Sequence, residues 1–175
     1  PGRLPFWRGD APARPVELGR AFGKTLREIE AAGFRGESIR AWGLSEDAGE
    51  TLLGYLREQT QTAGMLATDR TIVVERFKDE LGDWRIVVHS PFGAKVHSPW
   101  AHVVSAKLKG RGIDASVMVS DDGFVLRIPE VADPFDPLSA PAPTAAFAAE
   151  DLVFDPEGLT EEVIAALGGS AHFAS

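Results

Sequence analysis

Residues 71–101 read TIVVERFKDELGDWRIVVHSPFGAKVHSPWA, and the reading of this stretch decides the fold. Its opening, Thr71-Ile72-Val73-Val74-Glu75-Arg76-Phe77, is rich in β-branched residues that suit a pleated strand. Trp84, Ile86 and Val88 then alternate with Arg85 and His89, the two-residue period of a half-buried strand. Asp79, Glu80, Leu81, Gly82 and Asp83 lie between as a polar loop, so the two runs read as a hairpin. Ser98 is a good N-cap and Pro99 a good first helical residue, so a helix is expected to start there. Trp100, Val103, Val104 and Leu108 fall on one stripe of that helix, which stops at Gly110. Residues 115–120 and 124–128 make a second hairpin around Asp121-Asp122-Gly123, whose Asp-Gly suits a tight turn.

Two helices precede this unit. Pro15 can open the first, and Val16, Leu18, Ala21, Phe22, Leu26 and Ile29 approximate helical spacing up to Gly33. The second starts at Ser45, with Glu46 and Asp47 in its first turn, and ends near Gly64. Leu52, Leu53, Tyr55 and Leu56 supply its apolar face. The order predicts an α+β domain with a mainly antiparallel sheet, β-β-α-β-β, two preceding helices and a C-terminal helix. That last helix is expected over residues 156–167. The expected division is an irregular N-terminal arm over 1–14, the α+β domain over 15–130, a Pro/Ala-rich linker or strap over 131–150, and a C-terminal helical segment over 151–175 leading into a further region.

A chain of 175 residues makes one ordinary domain or two small ones, and 44% hydrophobic residues allow a real core. The absence of cysteine excludes disulfides, thiol catalysis and thiolate metal sites. No apolar run reaches the length of a membrane span and no signal-peptide pattern is seen, so a cytoplasmic protein with no membrane partner is the expectation. The first residue is not Met and the last phrase is a short apolar one, as expected of a piece cut from a longer chain. The net charge of −8 is unevenly spread: residues 130–175 hold 9 acids and no Lys or Arg. Residues 85–113 carry Arg85, Lys95, Lys107, Lys109 and Arg111 with no acid, so a basic patch remains possible on an acidic protein.

Most of the apparent chemistry has a plainer reading. Gly19-Arg20-Ala21-Phe22-Gly23-Lys24-Thr25 imitates a P-loop, but one residue too few separates its glycines and no strand precedes it. Glu75, Asp79, Glu80 and Asp83 read as a solvated turn rather than a metal site. His89, His97 and His102 lack the spacing of a zinc helix. Ser90 and Ser98 lack a nucleophile elbow and read as capping or turn residues. Trp42, Trp84 and Trp100 read as core. Trp7 differs, because it sits in a Pro/Gly-rich arm between Arg3 and Arg8. An aromatic beside arginines suits stacking on an unpaired base with a phosphate contact, and equally suits pinning the arm to the domain.

Five phrases taken together carry a family likeness. PFWRGDAPARPVELG, YLREQ, ATDRTIVVERFKDELGDWRIVVHSPFGAKVHSPWA, SDDGFVLRIPE and GGSAHFAS, in that order, resemble the DEAD/DEAH-associated region of the Lhr-type superfamily II helicases. The resemblance implies a parent enzyme whose two RecA-like domains hold ATP and magnesium and are followed by a winged-helix domain, then by this region. It implies single-stranded DNA or RNA as a partner, translocation from 3′ to 5′, unwinding, and a role in DNA repair. This fragment is then expected to carry no cofactor and no ATPase of its own, and to help form the channel for the tracking strand. The resemblance also turns Trp7 toward nucleic-acid contact as a stacking wedge, with Arg3, Arg8, Arg85 and Lys95 as phosphate contacts. Lys95 stands where the family phrase often has Arg, so the charge is kept and the planar fork is lost. With the free N–H groups of the helix start, Lys95 is expected to hold one phosphate.

Overall fold

Trp84 pairs with Lys78 and His89 with Val73 across the first hairpin, so the alternation read in the sequence becomes an antiparallel ladder. Its strands are β1 (Val73–Lys78) and β2 (Trp84–His89). β3 (Ser116–Ser120) and β4 (Gly123–Ile128) form the second hairpin, and β4 inserts beside β2. The sheet is antiparallel throughout, in the order β1-β2-β4-β3. The helices are α1 (Val16–Ala31), α2 (Glu46–Ala63), α3 (Ala94–Lys109) and α4 (Leu159–Gly168). This computed structural model describes residues 13–129 and 147–168, and it has the expected α+β class and element order.

The main core lies between α3 and one face of the sheet. Ile86, Val88, Phe124, Leu126 and Ile128 meet Ala101, Val104 and Leu108 there. Each Ile, Val, Leu or Phe side chain contributes roughly 1.5–3 kcal/mol on burial, and the Ala101 methyl less. Phe147 and Leu152 enter the same core, and the Trp100 indole N–H donates to the Leu152 carbonyl at 2.9 Å. The segment around 147–152 therefore packs on α3, and an acid meets bases there: Asp151 pairs with Arg111 at 2.9 Å and with Lys107 at 3.8 Å. A second, smaller core of Ile29, Ile39, Leu53, Leu56 and Leu66 holds α1 to α2.

Several sequence expectations are corrected. α3 starts at Ala94 rather than Ser98, which places Ser98 and Pro99 inside the helix. The cap comes from a distance: the Asp121 carboxylate accepts the Ala94 N–H at 2.9 Å. Pro99, the sixth residue of α3, then brings no N–H to the Lys95 carbonyl, so the helix lacks that backbone bond. The stripe expected on α1 is also rotated, because Leu18 and Phe22 are exposed while Gly19 and Gly23 are buried. A Cβ at Gly19 would overlap the Pro91 carbonyl, and one at Gly23 the Asp69 N–H. The helix thus packs backbone against backbone, a contact that a count of large apolar residues misses. Tyr55 and Trp42 are exposed too, whereas Trp84 and Trp100 lie partly buried against the main core.

Candidate nucleic-acid interface

The chain enters the described fold at Ala13-Arg14, and Arg14 is clamped. Its N–H donates to Asp121 Oδ1 at 2.9 Å, and its guanidinium donates to the carbonyls of Pro91 at 3.2 Å and Asp121 at 3.1 Å. The same group pairs with Asp122 at 2.8 Å and lies over the Phe22 ring, 5.4 Å from its centroid. Asp121 accepts both the Ala94 and the Arg14 N–H, so one carboxylate ties the arm's root to the start of α3. The Ala94 N–H foremost, then that of Arg14, hold the Asp121 carboxyl below the ordinary carboxylate range. Sequence reading missed this clamp. Asp121-Asp122 was legible as a tight turn, but its long-range partner 107 positions away has no local signal.

Beneath the clamp lies a buried polar pair. His97 Nδ1 is 2.8 Å from the Ser120 carbonyl and Nε2 is 2.9 Å from Ser90 Oγ. A carbonyl can only accept, so Nδ1 carries the proton and Nε2 accepts from the serine hydroxyl. Burial pushes the imidazole below its ordinary pKa. His97 and Ser90 thus fasten α3 to the ends of β2 and β3, and both are almost wholly inaccessible.

The residues singled out for the strand separate. Trp7, Arg3 and Arg8 lie outside the described residues. Lys95 is exposed in the first turn of α3, next to Ala94 and so beside the arm's root. The Ala94 N–H is already taken by Asp121, so the expected phosphate cradle at the helix start lacks its first donor. Arg85 lies five residues before Ser90 along β2, about 16 Å away at the strand rise. Its guanidinium holds Asp79 through Nε and Nη2, both at 2.7 Å. The acidic loop is thus not the solvated turn expected. Asp79 also accepts the N–H groups of Leu81 at 2.9 Å and Asp83 at 3.0 Å, while Asp83 is buried and holds Arg127. Desolvation pushes the Asp79 carboxyl up, but Arg85 and those two N–H groups together bring it below the ordinary range.

The P-loop imitation is not a phosphate cradle. Gly19–Thr25 lies inside α1, where N–H groups serve the helix and the glycine faces are filled by the chain around Asp69 and Pro91. No helix among the described residues is long and apolar enough to cross a membrane.

With this geometry in place, comparison with known proteins gives the class. The profile of the DEAD/H-associated family matches residues 66–175, and the chain belongs to that family. The particular likeness is to Lhr helicases. The "Lhr helicase/ probable uracil glycosylase" of Mycolicibacterium smegmatis is 42% identical over 178 residues, covering 100% of this chain and 11% of that protein. The "Lhr helicase/uracil glycosylase" of Escherichia coli is 40% identical, covering 99% of this chain and 11% of that protein. A solved structure of the Mycobacterium smegmatis helicase Lhr, bound to ssDNA and AMP-PNP, superposes with a TM-score of 0.76 at 40% identity. It matches 99% of this chain and 21% of the solved one. The chain thus spans about a tenth of the length of its curated relatives.

Proposed function

We propose that this chain is the accessory part of an Lhr-like ATP-dependent helicase that lines the single-strand channel. In this reading RecA-like domains of the same parent hold ATP and magnesium, a winged-helix domain lies between, and this part couples the motor to 3′-to-5′ translocation and unwinding in DNA repair. The observation that carries the reading is the near-complete match to a helicase structure with single-stranded DNA bound. The clamp at Arg14 supports it, because it fixes the point where the described chain begins, and that point lies beside the first turn of α3, which carries the exposed Lys95.

Trp7 stacks on a base of the tracking strand, and Arg3, Arg8 and Lys95 contact its phosphates. Arg85 ranks below them, since two of its nitrogens already hold Asp79. Stacking on an aromatic is worth roughly 1–3 kcal/mol per base. In the parent enzyme Trp7→Ala is expected to keep strand-stimulated ATP hydrolysis and to lose unwinding. Equal unwinding by variant and wild type would refute the role of Trp7.

One observation favours a second reading, an interaction module that packs on the motor without touching the strand. Of the five bases in 85–113, Arg85, Lys107 and Arg111 are already paired with carboxylates. Under that reading no substitution at Trp7 or Lys95 alters strand affinity.

A further inference from the structure

Between α1, α2 and the end of the sheet lies an open cavity of about 420 Å³. Phe22, Trp42, Tyr55 and Met65 form part of its wall, yet they are 47%, 44%, 59% and 49% exposed. Four large apolar side chains left half bare at one place make a docking surface rather than ordinary scatter. Its volume well exceeds the roughly 150 Å³ that accommodates a benzene ring in a protein interior.

Charge decides the class of occupant. Glu75 and Asp122 border the cavity, and no Lys or Arg does among the described residues. Arg14, the cation nearest the rim, is already paired with Asp122 at 2.8 Å, so the lining offers a strand's phosphates no Lys or Arg and the aromatic wall is a poor base-stacking platform. The occupant it fits is apolar with cationic flanks.

Such a segment begins at the cavity's edge. Arg14 lies over the Phe22 ring and bonds the Pro91 carbonyl and Asp122, and all three partners border the cavity. Upstream of it the sequence reads PGRLPFWRGDAP, an apolar phrase Leu4-Pro5-Phe6-Trp7 between Arg3 and Arg8. Phe6 stands seven residues before Ala13, a reach of up to about 25 Å in extended chain, more than the width of two packed helices. We propose that Phe6 seats in the cavity walled by Phe22, Trp42, Tyr55 and Met65 and so positions Trp7. With Phe6 seated, Trp7 is one peptide, about 3.8 Å between Cα atoms, from a fixed point. Fixing the arm before the strand arrives removes an ordering cost from binding. The seating stands on the cavity alone; the use made of Trp7 rests on the proposed function.

The test uses the chain's two methionines, Met65 in the cavity wall and Met118 on β3. With both methyl groups labelled with ¹³C, Phe6→Ala is expected to move the Met65 resonance by removing a ring beside it. Met118 is expected to stay in place, and Trp7→Ala to leave Met65 unmoved. In the parent enzyme Phe6→Ala should lower unwinding and Phe6→Leu restore it. An unmoved Met65 in Phe6→Ala overturns the proposal, as does a Met65 that answers to Trp7→Ala instead. A Met65 shift that grows with protein concentration also overturns it, since a second copy would then fill the cavity. A moved Met65 with normal unwinding in Trp7→Ala would leave the seating standing and remove the role given to Trp7.

Discussion

The buried His97 makes the stability of this domain depend on pH in a calculable way. Its ring is 0% exposed, Nδ1 donates to the Ser120 carbonyl, and Nε2 accepts from Ser90. Protonation would reverse the Ser90 contact, with Nε2 donating to the hydroxyl oxygen, and would place a charge in the core; that burial lowers its pKa below the ordinary 6.5. Arg14 opposes the charge as well, while Asp121 and Asp122 favour it without outweighing burial. The sign follows from linkage. Above pH 6.5 the ring is neutral in both folded and unfolded chains, and the pH has no hold on it. Below 6.5 the unfolded chain binds a proton that the folded one refuses, so stability falls with falling pH until the folded pKa is passed. One proton of difference gives a limiting slope of about 1.4 kcal/mol per pH unit. Urea unfolding of the wild type and His97→Gln between pH 8 and pH 5 measures it, since Gln can keep a donor and an acceptor. The wild type should lose stability below pH 6.5 more steeply than the variant by up to that slope. Parallel curves would refute the assignment of a neutral, doubly bonded His97.

Two further predictions follow from the same clamp and sheet. Gly123 has φ +140, pairs with His89, and a Cβ there would overlap the Val88 carbonyl oxygen. Gly123→Ala should therefore cost more than the roughly 1–3 kcal/mol of backbone strain alone, seen as a lowered urea midpoint; an unchanged midpoint contradicts the close approach of β4 to β2. Lys95→Ala in the parent should weaken single-strand binding equally across sequences and reduce the salt slope by about 1, measured by titration at several salt concentrations. A sequence-dependent loss would mean that Lys95 reads bases.

The hairpins were legible because the alternation of Trp84, Ile86 and Val88 reflects one buried sheet face, and Asp121-Asp122-Gly123 supplies its own turn chemistry. The start of α3 was not, because Ser98-Pro99 gives a local capping signal while the real cap, Asp121, lies 27 positions away. Similarly, Phe22, Trp42 and Tyr55 have the residue types of a core, and no pattern in one chain reveals that their face is left bare. Gly19 and Gly23 bury an adjoining side of α1 through contacts that need the absence of a side chain. Asp79 and Asp83 had turn chemistry, but their partners Arg85 and Arg127 could be matched only once the strands were paired. For the strand contacts, the structure places Lys95 at the arm's root and Arg85 elsewhere, a distinction that charge counting along 85–113 does not make.

The channel-lining role is tested most directly by photocrosslinking in the parent enzyme. A single strand carrying a photoreactive base would be bound, irradiated, and the crosslinked peptides identified by mass spectrometry. The account predicts crosslinks at Trp7 and in the peptide containing Lys95, both lost when excess unlabelled strand is added. Crosslinks confined to the motor domains, with none in residues 1–14 or around Lys95, would contradict it.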